Sequence, residues 1–251
     1  MDCTMSPQGT RQENDALEGH GLLQSEDEWI ARNRILSDTL CGHVNRHVKM
    51  QTARALDVGC DSARLTDLYS TKTKLQWWGL DPDVQDGQLS RVGLPLVNGY
   101  AHVIPFPDDH FDCIMFANVY EHVDPEWRVP SLAEMYRVLK PGGILVGQLP
   151  NPYFPLESHS RLPFLTYLPE PLRRVYWRLT PTGWDYDRAH FFVVSVYNLK
   201  KLAEARGFST IEIRNFNYAL EAIPRSVRWM AKLHASLGIL PWAHQFVFRK
   251  Q

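Results

Sequence analysis

Residues 53–60 read Ala-Arg-Ala-Leu-Asp-Val-Gly-Cys, and residues 75–81 read Leu-Gln-Trp-Trp-Gly-Leu-Asp. Each is a short apolar run that closes on a carboxylate, the pattern of a strand covered on both faces whose end opens at a sheet edge. Gly59 lets the chain turn directly after the first strand and brings backbone N–H groups close to a ligand. Asp81 falls about one βαβ unit after Asp57, where a carboxylate can accept from both hydroxyls of a ribose. The two stretches predict the nucleotide-binding half of an α/β sheet and a small nucleoside-containing cofactor. The plainer reading of Asp81-Pro82-Asp83 is a turn opener.

Working outward, strands are predicted around 96–101, over 111–117 and over 144–149, with a helix from about Ser62. A further helix near 131–139 is expected to stop at Lys140-Pro141-Gly142-Gly143, with glycine as a left-handed cap. A helix over 195–206 ends at Gly207, followed by a strand over 208–214. Residues 244–250 read as a closing strand. Apolar residues Trp29, Ile30, Leu36, Leu40, Val44 and Val48 recur at helical spacing and predict a leader helix or helix pair over 26–50. Residues 1–25 lack periodicity and are expected to be a mobile tail.

With 251 residues and 44% apolar content, the chain fits one globular domain. A net charge of -1 provides no broad basic field for nucleic acid. Cys3, Cys41, Cys60 and Cys113 lack CxxC spacing, so neither a disulfide framework nor a metal site is expected, and the predicted compartment is the cytoplasm. No window reaches the apolar length of a membrane span, and no signal peptide is expected.

Five segments together carry a family resemblance: Asp57-Val58-Gly59-Cys60, Gly79-Leu80-Asp81-Pro82, residues 104–112, Asn118-Val119-Tyr120-Glu121-His122-Val123, and residues 134–143. In order and spacing they resemble the class I S-adenosylmethionine-dependent methyltransferases, in particular the small-molecule methyltransferase type 11 branch. That resemblance implies a doubly wound, mostly parallel seven-stranded sheet with an antiparallel last strand. It also implies S-adenosyl-L-methionine as cofactor, held by Asp57, Gly59, Cys60 and Asp81, with Asp61, Tyr100, Ala101 and Asn118 around it. The family pattern Asp/Glu-x-Gly-x-Gly-x-Gly is met here at Asp57 and Gly59, while Asp61 and Ala63 replace the second and third glycines. Asp61 can cap the following helix or meet the amino group of the cofactor's methionine part. Tyr100 stands where the family often places an aspartate for the adenine amino group, leaving it to stack or donate instead.

For chemistry, the candidates are His190, His122 and Glu121. Asp187-Arg188-Ala189-His190-Phe191-Phe192 resembles the family's Asp-x-x-His-x-Arg-x-Phe, with Phe192 in place of arginine, and Asp187 could fix the His190 tautomer. His190 is favoured over His122 as the base that takes the acceptor's proton. The plain alternative for Glu121 and His122 is a helix start and a packed imidazole. Departures from the minimal fold at about 151–185 and 217–242 predict cap insertions over the carboxyl edge of the sheet. Within the first, residues 161–178 interleave arginines with bulky apolar groups. This pattern suits a cap helix with a solvated basic face, or a surface that docks a lipid-like, polyketide-like or anionic substrate or a membrane.

The expected activity is methyl transfer to O, N or C of a bulky, partly apolar small molecule. The alternative is a methyltransferase-fold protein that does not methylate, either a cyclase-like enzyme or a partner subunit. A nicotinamide-dependent reductase is a weaker third, because Gly-x-Gly-x-x-Gly is absent.

Overall fold

The computed structural model of the chain describes residues 26–49, 52–158, 160, 162–180, 191–217, 229 and 240–251. Asp187, His190 and most of 217–242 lie outside the described residues, as do residues 1–25.

Seven strands form one sheet in the order β3-β2-β1-β4-β5-β7-β6. They are β1 Arg54–Val58, β2 Gln76–Asp81, β3 Leu96–Asn98, β4 Phe111–Ala117, β5 Leu139–Pro150, β6 Phe208–Phe216 and β7 Ala243–Lys250. The first five run parallel, and β7 lies antiparallel between β5 and β6. The chain order reverses outward from β1, and β1 and β4 diverge in their onward connections at the carboxyl edge, the place where open α/β sheets bind ligands. This is the doubly wound sheet with antiparallel last strand that the sequence implies.

Five described α-helices surround the sheet: α1 Glu26–His47, α2 Arg64–Lys72, α3 Arg128–Val138, α4 Glu170–Arg178 and α5 Val196–Arg206. Leu36, Leu40 and Val44 of α1 and Tyr69 of α2 pack on one face, against Trp77, Met115, Val146 and Val247. Leu132 and Met135 of α3 and Val196, Leu199 and Ala203 of α5 pack on the other, against Leu56, Ile114, Leu145 and Phe246. The leader segment is thus a single helix over its described part. Its apolar stripe at i, i+4 and i+8 explains why it lies on the sheet.

Two sequence expectations change. Strand β3 is only three residues long, because Tyr100 leaves the ladder and bridges back to Val103. Lys140-Pro141-Gly142-Gly143 is not a helix cap: α3 ends at Val138 and Leu139 is already extended, with φ −73 and ψ 139. Pairing between β4 and β5 then steps from Phe111–Leu139 to Cys113–Ile144, and Gly142 at φ 78 sits in that irregularity. Glycine is needed there to fold the extra residues out of the ladder. The cap of α5 is as expected, with Ser195 accepting from the Tyr197 N–H at the start and Gly207 at φ 112 at the end.

Candidate functional site

The site begins where β1 and β2 end side by side, with Asp57 paired to Gly79 and Val58 to Leu80. The N–H groups of Gly59 and Cys60 both donate to the Leu80 carbonyl, at 2.8 and 3.1 Å, which ties the turn after β1 to the end of β2. Gly59 has φ 78, and a Cβ there would meet Val119 Cγ2 at 2.5 Å. Glycine is therefore required both for backbone angle and for space.

Beyond Gly59 the backbone turns left-handed twice more, at Asp61 with φ 47 and at Ala63 with φ 60. Positions 59, 61 and 63 are those of the family's three glycines, so the loop keeps the glycine-type conformation with two residues that carry a Cβ. Aspartate tolerates this region better than most residues, and alanine enters it at a cost of about 1 kcal/mol. Sequence comparison alone reads Asp61 and Ala63 as losses; the backbone shows that the loop shape survives them.

Asp61 does not cap the following helix, which corrects one of its two readings. The residue at the start of α2 is Ala63, with no side-chain cap. The Asp61 carboxylate accepts instead from Ser62 Oγ at 3.0 Å. The Asp61 side chain is exposed at the rim of the loop.

Asp81 is buried at the end of β2. Its Oδ2 accepts from the Asp61 N–H at 2.8 Å and its Oδ1 from the Asp83 N–H at 3.0 Å. The turn-opening role and a ligand role coexist, because each carboxylate oxygen has a second lone pair. Burial raises its pKa to about 6, against the pull of the two backbone donors. Asp57 is deeper, accepts from Thr66 Oγ1 at 2.6 Å, and is pushed by burial to about 7. Burial also raises the Cys60 thiol, so Cys60 serves this site through its backbone and a protonated side chain.

The second ring of the cradle comes from β3 and β4. Asn98 at the end of β3 donates from Nδ2 to the carbonyls of Pro82 and Val84, at 2.7 and 2.9 Å, and so shapes the loop after Asp81. Tyr100 is partly exposed, with its ring 5.3 Å from that of His102, which stacks on Trp127 at 4.3 Å. Ala101 is half-buried against the core. Asn118 leaves β4 at φ 58; its N–H donates to the Gln148 carbonyl at 2.8 Å, and its Oδ1 accepts from Gln148 Nε2 at 3.2 Å. A left-handed asparagine at a strand end redirects the chain into the short turn Tyr120–His122.

That turn forms one wall of a pocket at the carboxyl ends of β4 and β5. Glu121, Asn151, Phe154, Leu156, Glu157, Thr166, Phe191, Phe192 and Trp242 line it. Glu121 is buried, and its carbonyl accepts from the Phe192 N–H at 2.7 Å. His122 is half-buried in the same turn. Hence Glu121 belongs to the pocket. Among the described cofactor candidates, Asp57, Gly59, Cys60, Asp61 and Asp81 cluster around the first turn, and Asn118 stands at the next strand end.

Sequence reading missed Gln148, Gln245 and Glu157. Gln148 and Gln245 sit in apolar strand runs, where a polar residue buried on both sides is the only signal. They form a buried chain, with Gln245 Nε2 donating to Gln148 Oε1 at 3.2 Å and to Thr39 Oγ1 at 2.7 Å. His43 Nε2 meets Gln245 Oε1 at 3.2 Å, which links this chain to α1. Glu157 is buried and accepts from the N–H and hydroxyl of Ser160.

The sheet order, the glycine-type turn and the buried carboxylate after β2 define the class I S-adenosylmethionine-dependent methyltransferase fold. Residues 32–213 match the family described as methyltransferase domain, and the chain belongs to that family. Membership of that family implies S-adenosylmethionine as the cofactor. Among curated relatives, it is similar to the ubiquinone/menaquinone biosynthesis C-methyltransferase UbiE of Marinomonas sp., 32% identical over 46% of this chain and 53% of that protein. It is also similar to the demethylmenaquinone methyltransferase of Staphylococcus haemolyticus, 26% identical over 81% of this chain and 85% of that one. The first of these matches thus spans about half the relative's length. Among solved structures, a SAM-dependent methyltransferase from Archaeoglobus fulgidus superposes with a TM-score of 0.57 at 19% identity, covering 87% of this chain and 94% of that one. The [4+2]-cyclase SpnF superposes with the same score at 17% identity, over 94% and 90%. At such identities the likeness concerns the fold alone.

Among the described residues, no helix is long and apolar enough to cross a membrane.

Proposed function

We propose that this enzyme transfers the methyl group of S-adenosylmethionine to a bulky, partly apolar small molecule. The observation that carries the reading is the pocket at Glu121, whose lining is mostly apolar, with Phe154, Phe191, Phe192 and Trp242 in its wall and a few polar groups among them. Asp81 would hold the ribose, and the left-handed turn of residues 59–63 would present backbone to the methionine part, with the Asp61 carboxylate near its ammonium. Tyr100 and Ala101 would flank the adenine. The name of the first curated relative, a C-methyltransferase of ubiquinone/menaquinone biosynthesis, supports a carbon of a quinone-type acceptor over an oxygen or nitrogen.

A carbon or oxygen nucleophile must lose a proton as it attacks, and His190 is the proposed base, with His122 and Glu121 as the nearest substitutes. Among the described residues Cys41, Cys60 and Cys113 are free thiols, which supports a reducing, cytoplasmic setting.

The test is turnover of the purified enzyme with an alkylated hydroquinone and with a small polar amine, followed by mass spectrometry of the product. Methylation of the hydroquinone on carbon, reduced on the order of 100-fold or more by His190→Ala and less by His122→Ala, is the expected result. Methylation of the polar amine alone would refute the assignment of acceptor class.

A further inference from the structure

We propose that α4 and the turn before it form a docking surface for an anionic phospholipid bilayer. This goes beyond the acceptor assignment and does not depend on it.

Helix α4 has the sequence Glu-Pro-Leu-Arg-Arg-Val-Tyr-Trp-Arg, followed by Leu179. Leu172, Val175 and Leu179 stand at i, i+3 and i+7, so they share one stripe. A surface helix ordinarily turns such a stripe toward the core. Here the inward anchor is Trp177, which packs with Leu162 and Leu165 in a small cluster of its own. The stripe faces away: Leu172 is 54% exposed, Val175 53% and Leu179 80%. The turn Leu165–Tyr167 lies just ahead of α4 in the chain and adds Phe164 and Tyr167, both more than half exposed, with rings edge to face at 5.8 Å. Phe164 adopts a left-handed conformation at φ 56, an uncommon state for a bulky residue, and its ring is exposed. Tyr167 Oη donates to the carbonyl of Tyr153, itself exposed.

Charge selects the occupant. Arg173, Arg174 and Arg178 stand on this helix against the single acid Glu170, which pairs with Arg174 at 3.2 Å, while Arg173 Nε donates to the Leu168 carbonyl at 2.9 Å; the helix carries an excess of 3 − 1 = 2 positive charges, with Arg178 exposed beside Leu179, in a chain whose total is -1. Apolar and aromatic groups that can enter the headgroup region, edged by arginines that can meet lipid phosphates, are complementary to an anionic bilayer. A second copy fits less well, since a two-fold contact would bring the arginine edges of both chains to one seam. The surface also adjoins the pocket: Thr166, between Phe164 and Tyr167, is part of the pocket lining. An apolar substrate drawn from the bilayer would enter beside this turn.

Full-length protein is sedimented with vesicles of phosphatidylcholine alone and of phosphatidylcholine containing about one-third phosphatidylglycerol. Binding to the anionic vesicles, at least about tenfold weaker for Leu172→Ser/Val175→Ser/Leu179→Ser and shed by salt more readily for Arg174→Gln/Arg178→Gln, is the expected result. The three serines replace solvent-facing groups, so melting temperature and S-adenosylhomocysteine affinity stay at the parent values. The proposal is overturned if the parent ignores anionic vesicles, or if the triple variant binds them equally. It is also overturned if the triple variant instead dissolves a dimer seen by sedimentation velocity, or melts well below the parent, which would mean that another copy or another part of this chain covers the stripe. Vesicle binding by an enzyme that methylates only polar amines would leave the docking surface standing and remove the acceptor assignment.

Discussion

The Asp61 N–H donates to Asp81 Oδ2 at 2.8 Å, so the residue standing at the family's second glycine position holds the carboxylate proposed to bind the ribose. The bond needs the left-handed backbone at residue 61, and aspartate adopts that backbone at some cost. Asp61→Gly keeps the N–H, removes the strain and takes away an exposed side chain with little packing to lose. Stability should rise by about 0.5–1 kcal/mol, measured as a higher denaturation midpoint with an unchanged slope. At Ala63 the same relief is offset by loss of a buried methyl, worth about 0.8 kcal/mol, so Ala63→Gly should be near neutral. A loss of S-adenosylhomocysteine affinity beyond tenfold in Asp61→Gly, with stability raised, would identify Asp61 as a ligand contact as well.

Asp81 gives a pH dependence to cofactor binding. Its carboxylate must be ionised to accept from ribose hydroxyls, and burial raises its pKa to about 6. Affinity for S-adenosylhomocysteine should therefore be at its plateau above pH 6 and fall as pH drops below it. Asp81→Ala should weaken binding by about 1–3 kcal/mol at pH 8 and abolish that pH dependence. Calorimetric titration at several pH values checks both; parent affinity that stays flat from pH 8 to pH 5 would separate Asp81 from the ligand.

Asp57 should leave its mark on stability. Burial lifts its folded-state pKa to about 7, while the unfolded chain titrates near the ordinary 3.8. Between those values the folded state keeps a proton that the unfolded state has lost, so stability is highest below pH 4 on this account and declines as pH rises toward 7. Asp57→Asn keeps an acceptor for Thr66 Oγ1 and cannot ionise. It should remove that decline, seen as a flatter plot of unfolding free energy against pH from 4 to 7. An unchanged slope would place the Asp57 pKa near its ordinary value.

How much of this was legible in the sequence depends on which residues dictated it locally. Strands β1, β2 and β4 announce themselves because a strand buried on both faces must be nearly continuously apolar, and Gly207 and Ser195 bound α5 because their backbone roles are local. Lys140-Pro141-Gly142-Gly143 misleads for the opposite reason. Its composition is that of a helix stop, and only the pairing of Leu139 with Phe111 draws it into β5. The candidate site divides the same way. Asp57, Gly59 and Asp81 lie at strand ends fixed by spacing, whereas Gln148 and Gln245 find each other only through the pairing of β5 with β7. The conformation of Asp61 and Ala63 was hidden because side chain and backbone give opposite signals there.

The buried amide chain supplies the last prediction. Gln245 has its side chain on the α1 face of the sheet, where Nε2 reaches Thr39 and Gln148 and Oε1 meets His43 Nε2, while Gln148 in turn donates to Asn118 at the end of β4. Burial and the neighbouring Arg46 hold the His43 pKa below the ordinary value, against Glu212, which keeps His43 neutral near pH 7. Gln245→Leu keeps the volume and removes every one of these partners. It removes the bonds these groups make to Gln245, each at about 1–3 kcal/mol where the group is buried and less at half-buried Thr39, which keeps its bonds to the Ile35 and Leu36 carbonyls. Some of that is recovered by rearrangement, so a total loss of about 2–4 kcal/mol is expected, read from the denaturant midpoint. Because Gln148 also holds Asn118, one of the cofactor candidates, S-adenosylhomocysteine affinity should fall together with turnover. A variant as stable as the parent would show that water or repacking replaces these bonds. Parent affinity in a destabilised variant would mean that the amide chain supports the sheet and does not position Asn118.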